Sequence, residues 1–102
     1  MLNQVVLVGR LYEKPEIQII NEKKKIDFLL AVTRSFKNLD GVYDTDIIPI
    51  KAFGGVAEKM CEYCEKGDLI GVKGNLQIKD EELIVIGEKI TFLSKSKERE
   101  EN

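Results

Sequence analysis

Thr45-Asp46-Ile47-Ile48-Pro49-Ile50-Lys51-Ala52-Phe53 reads as a strand with two unlike faces, and a helix follows it directly. Side chains alternate across a strand, so Ile48, Ile50 and Ala52 share one side while Ile47, Pro49, Lys51 and Phe53 share the other. The first set is a core face; the second mixes a cation with an outward aromatic. Over residues 55–66, Ala57, Met60, Cys61 and Cys64 recur at i, i+3, i+4 and i+7, an apolar stripe at helical period. Glu58, Lys59, Glu62, Glu65 and Lys66 fall mostly between them, and Gly67 stands where a left-handed C-terminal cap is expected.

Outward from this pair the chain is all strand. Before it, Val5-Val6-Leu7-Val8 running to Gly9-Arg10-Leu11 is a buried strand. Glu13-Lys14-Pro15-Glu16 is a bend, Ile17 to Ile20 resumes a strand, and Asn21 to Lys25 reads as a polar hairpin tip. Ile26 to Val32 runs on into Thr33-Arg34-Ser35-Phe36, and Asp40-Gly41 marks a turn. After the helix, Asp68 to Ile78 and Leu83 to Leu93 are strands joined by a very short turn. Lys73, Asn75, Gln77 and Lys79 share one parity, a polar outer row against inward Val72, Leu76 and Ile78. The expected fold is all-β: a five-stranded OB-fold barrel with one α-helix between the third and fourth strands.

Composition narrows the chemistry. The chain has 102 residues, 43% hydrophobic and 33% charged, one small domain by length. Residues 1–93 are expected to form that domain and residues 94–102 a short, charged, disordered end. There is no histidine, which removes His-based acid–base catalysis and His metal ligands, so neither catalytic residues, a metal nor a cofactor is expected. Cys61-Glu62-Tyr63-Cys64 has the spacing of a redox or zinc pair. It lies at the wrong end of the helix for a lowered thiol pKa and lacks two further zinc ligands, which favours buried helix-face cysteines. No apolar run approaches the ~20 residues that cross a bilayer, and the first residues lack a signal-peptide pattern, so a cytoplasmic protein without membrane contact is expected. Net charge is −2, and residues 1–80 balance twelve basic against twelve acidic side chains. A polyanion partner would therefore need a local basic groove, not bulk charge.

Several stretches, in register, go further than strand order. Asn3-Gln4-Val5-Val6-Leu7-Val8-Gly9-Arg10-Leu11 with Lys14-Pro15-Glu16 resembles the opening of the bacterial single-stranded DNA-binding proteins. Leu30-Ala31-Val32-Thr33-Arg34-Ser35-Phe36 is similar to a second-strand signature of that family. Thr45 to Ile50 with Phe53-Gly54 and Ala57-Glu58, then Tyr63, Lys66-Gly67 and Gly71 to Gln77, resemble its third strand, helix and fourth strand. The resemblance covers residues 1–79. It implies sequence-independent binding of single-stranded DNA in replication, recombination, repair or uptake, by base stacking on aromatics and phosphate contacts to cations.

Carried onto this chain, the resemblance implies stacking at Phe36 and Phe53 and cations at Arg34, Lys37, Lys51, Lys73 and Lys79, with Arg10 as a further candidate. The residues themselves leave alternatives open. Phe53 reads either as a platform or as an aromatic packed under the helix, and Phe36 either as a platform or as a barrel cap. Arg10 either contacts DNA or ends a strand, and Lys23-Lys24-Lys25 reads first as a solvated tip. The resemblance also implies a homo-oligomer, tetramer or dimer, pairing through Asn3, Gln4, Val5, Val6, Leu7 and Val8. Departures accompany it. Ile47 and Glu81 stand near positions where the family carries stacking tryptophans, the last hairpin is short, and no recruiting tail follows, so tail-mediated recruitment of repair enzymes is not expected. The alternative is a primosomal-type OB dimer acting as a protein–protein adaptor in a replication assembly.

Overall fold

Strands that are apolar on one face must curl or stack to cover it, and here they curl. A computed structural model describes residues 1–96; residues 97–102, most of the expected charged end, lie outside the described residues. The elements run β1 (Val5–Leu11), β2 (Gln18–Ile20), β3 (Lys23–Lys37), β4 (Tyr43–Phe53), α1 (Gly54–Tyr63), β5 (Leu69–Lys79) and β6 (Glu82–Ser94). The sheet order is β1-β5-β6-β4-β3-β2, and β1 pairs with β3 as well. That last pairing, Arg10 with Ala31 and Leu11 with Leu30, closes five strands into a barrel and leaves β2 as a short flap on β3. The β4–β6 pair, Ile50 beside Val85, is parallel and the others are antiparallel. The helix falls between the third and fourth barrel strands, as the sequence pattern predicts.

The alternation along β4 is what the barrel needs. Ile50 and Ala52 are buried with Leu11, Ile26, Phe28, Leu30, Ile70 and Val72, and Ala57 and Met60 of α1 join the same core. Each large aliphatic side chain so buried stabilises the fold by about 1.5–3 kcal/mol. On the other parity Ile47 and Phe53 stay 42% and 47% exposed. Two glycines mark where strands meet too closely for a side chain. A Cβ on Gly74 would stand 1.7 Å from the Ile86 carbonyl oxygen, and one on Gly9 would stand 2.4 Å from that of Ala31.

Three local expectations are corrected. The helix ends at Tyr63, with Cys64 already extended, so Gly67 does not cap it. Gly67 instead has φ +86° in a turn closed by the Asp68 amide donating to the Glu65 carbonyl at 3.1 Å, the third-position glycine of a type II turn. The buried Asp68 carboxylate decides where the helix stops: it accepts from the Glu65 and Ser96 amides, each at 2.9 Å. Ser96 is itself buried, so packing continues to the end of the described residues. Second, the tip expected over Asn21–Lys25 is only Asn21-Glu22, both at positive φ, the two-residue turn that matches strand twist; Lys23 to Lys25 belong to β3. Third, Leu76 and Ile78 keep their parity but are 38% and 69% exposed, because the β5–β6 hairpin runs on past the last β1–β5 pair at Gly74.

Cys64 is buried, and partial burial pushes the Cys61 thiol up from its ordinary pKa. Among the described residues no group of three or more His, Cys, Asp or Glu side chains is arranged to hold a metal. No helix there is long and apolar enough to cross a membrane.

Candidate functional site

The outward row of β4 faces a groove between two hairpins. One wall is the β2–β3 turn with Ile20, Asn21, Lys23 and Lys25; the other is the β5–β6 hairpin with Gln77 and Lys79. Lys51 and Phe53 of β4 lie between them with Ile84 and Ile86 of β6, around a volume of ≈ 540 Å³. Register explains the convergence. Lys25 sits opposite Phe53 and Asp27 opposite Lys51 across β3–β4, while Lys51 is beside Ile86 across β4–β6. Gln77 and Lys79 pair with Ile84 and Glu82 across the hairpin.

Charge is segregated there. Four of the lining residues are lysines, and none of those described as lining the groove is acidic. The Asp27 carboxylate stands just outside, accepting from Lys51 Nζ at 2.9 Å and lying 3.6 Å from Lys25. Hydrogen bonding to Asp27 holds the Lys51 pKa above its ordinary value, so this lysine stays charged. Lys24, on the opposite parity, turns away and pairs with Glu58 of α1. Among the described residues no ion pair involves Lys23 or Lys79. A half-exposed ring, three isoleucines and four cations are the parts needed to hold a flexible polyanion with flat apolar groups.

The structure divides the residues expected from the sequence. Phe53, Lys51 and Lys79 meet in the groove. Phe36, Lys37 and Arg34 lie together at the far end of β3. Phe36 is 69% exposed there, which does not fit a barrel cap. Arg34 is held bidentately by Asp46, Nε and Nη2 each 3.0 Å from a carboxylate oxygen. That pairing raises the Arg34 pKa and holds the Asp46 carboxyl below the usual carboxylate range. Lys73 is outside the groove, between Val6 of β1 and Lys89 of β6. Arg10 is also elsewhere, its Nη1 donating to the Gly67 carbonyl at 3.0 Å, which favours its reading as a strand-end tie. Lys23 and Lys25 are groove residues that the reading of a solvated tip set aside. Their signal was present as period-two spacing opposite the buried row of Ile26 and Phe28.

Along β1, Val6 and Val8 are 67% and 51% exposed, and the Asn3 side chain pairs with the Leu76 backbone, donating at 2.7 Å and accepting at 2.8 Å. On the β3 side, β1 pairs only at Arg10 and Leu11.

Residues 2–89 match the model of the single-strand binding protein family. The chain is 32% identical to single-stranded DNA-binding protein 1 of Clostridium acetobutylicum, over 95% of this chain and 98% of that one. It is 39% identical to single-stranded DNA-binding protein B of Bacillus subtilis, over 80% of this chain and 74% of the relative. In fold it is similar to the crystal structure of the SSB domain of a Synechococcus sp. protein, with a TM-score of 0.71 at 15% identity, covering 89% and 96% of the two chains.

Proposed function

The chain belongs to the single-strand binding protein family, and on that premise we propose that its lysine-walled groove is where it binds single-stranded DNA. Binding is sequence-independent: lysines neutralise phosphates, which carry no sequence information, and a base stacks on Phe53, which every base can do. No bond is made or broken. The observation that carries this assignment is the groove itself, four lysines around Phe53 with no acidic lining residue. Lys23, Lys25, Lys51 and Lys79 contact the backbone, and Ile84 and Ile86 supply an apolar floor. The relatives are named for single-stranded DNA binding, which favours this reading over a protein adaptor. The process served is the handling of exposed strands in replication, recombination and repair.

The protein acts as a homo-oligomer, dimer or tetramer, with β1 as the joining strand. Its first residues have a free edge on the β3 side and two exposed valines, which supports pairing with a second copy.

A Phe53→Ala variant tests the groove. With a fluorescein-labelled dT oligomer, loss of one stacking platform worth about 1–3 kcal/mol weakens binding by about 5- to 150-fold, with thermal stability little changed. Unchanged affinity would remove the groove from the binding surface.

A further inference from the structure

Tyr43 opens β4 on the same parity as Ile47, Lys51 and Phe53, so it projects from the same outer face. Its side chain is 50% exposed. The ten residue-to-residue steps from Tyr43 to Phe53 span on the order of 33 Å, so it stands at the opposite end of the outer row from the groove. Lys37, directly across the ladder, places its Nζ 5.8 Å from the Tyr43 ring centroid, which covers at most one face of the ring. Phe36 precedes that lysine, also exposed. Lys37 engages one face of the Tyr43 ring, and the rest of that ring and the Phe36 ring lie in water at one hairpin tip.

The tip is also ordered. Asn38 Oδ1 accepts from the amides of Asp40 at 2.9 Å and Val42 at 3.1 Å, and its Nδ2 donates to Asp44 at 3.1 Å. The Arg34–Asp46 fork ties β3 to β4 just behind it. A ring displayed on a closed, cross-tied turn is ordered before a ligand arrives, which lowers the cost of using it. The chain has no tryptophan, so its stacking surfaces must be Phe or Tyr.

We propose that Tyr43, flanked by Lys37, is a further base-stacking residue for the same DNA strand, engaged once the strand extends along β4 beyond the groove. The proposal rests on the reading of the groove as the DNA path. It makes the β3–β4 tip a second anchor, with Lys37 placed for the adjoining phosphate.

The absence of tryptophan supplies the measurement, because intrinsic emission comes from Tyr12, Tyr43 and Tyr63 alone. Tyr12 lines a separate cleft with Arg10 and Lys66, and Tyr63 is the last residue of α1. Saturating the protein with a dT oligomer of about 16 nucleotides, the upper site size of one such barrel, quenches tyrosine emission. Tyr43→Phe keeps affinity within about twofold and loses most of that quench. Tyr43→Ala weakens binding of the long oligomer by about 5- to 150-fold and leaves a ~4-nucleotide oligomer, the lower site size, unaffected. Full quenching in Tyr43→Phe, or wild-type affinity in Tyr43→Ala, overturns the proposal. If Phe53→Ala then still impairs binding, the groove stands and only Tyr43 falls; if the wild-type protein binds no oligomer, both fall. The Phe variant keeps the test decisive should the Ala variant fail to fold.

Discussion

Lys51 answers to two partners. In the free protein its ammonium group is hydrogen-bonded to Asp27, which also lies near Lys25; in the proposed complex both lysines face phosphates. Asp27 is then an internal competitor for DNA, screened by solvent and so weak in stability. Asp27→Asn is expected to tighten dT binding several-fold at low salt and steepen the dependence of log K on log salt by about 0.7–1, measured by anisotropy across a salt series. Weaker binding in that variant would show that the carboxylate orients Lys51 rather than competing for it. The Arg34–Asp46 pair behaves differently with pH. Because the Asp46 carboxyl is lowered in the folded chain, chiefly by its hydrogen bonds from Arg34, its contribution is present above the unfolded carboxylate pKa and is lost as pH falls through the folded one. The hairpin tip therefore stays tied at neutral pH and loosens only in acid.

Elements were legible in the sequence wherever one face is buried. The alternation of β4 identified Ile50 and Ala52 as core and Phe53 as outward because the barrel covers a single side of that strand. Parity alone could not say whether a neighbour covers a face, and Leu76 and Ile78 are exposed on a hairpin that leaves the barrel. Nor could local pattern see that Asp68 is buried, because its contact with Ser96 spans 28 residues. Lys23 and Lys25 were hidden by a turn without glycine: Asn21 and Glu22 take the positive φ themselves, so the hairpin is shorter than its polar stretch. At this scale the free edge of β1 makes its own claim. Light scattering is expected to give a mass of two or four chains, shifted towards the monomer by Val6→Lys, since charge on an edge strand opposes pairing. A monomeric wild-type protein would contradict the assignment of β1.

The whole molecule carries a net charge of −2, yet it is assigned a polyanionic ligand. The two facts agree only if attraction is local, from Lys23, Lys25, Lys51 and Lys79 acting around a groove with no acidic lining residue. Both the barrel and that local requirement could be read from composition and motif order; which lysines meet it needed the register of three strands. Titrating wild-type protein with labelled dT oligomer from low to moderate salt measures this directly. Each phosphate neutralised on a single strand contributes a slope of about −0.7, so four groove lysines predict a fall of log K with log salt of about −2 to −3. A slope near zero, or no binding at low salt, would contradict the account.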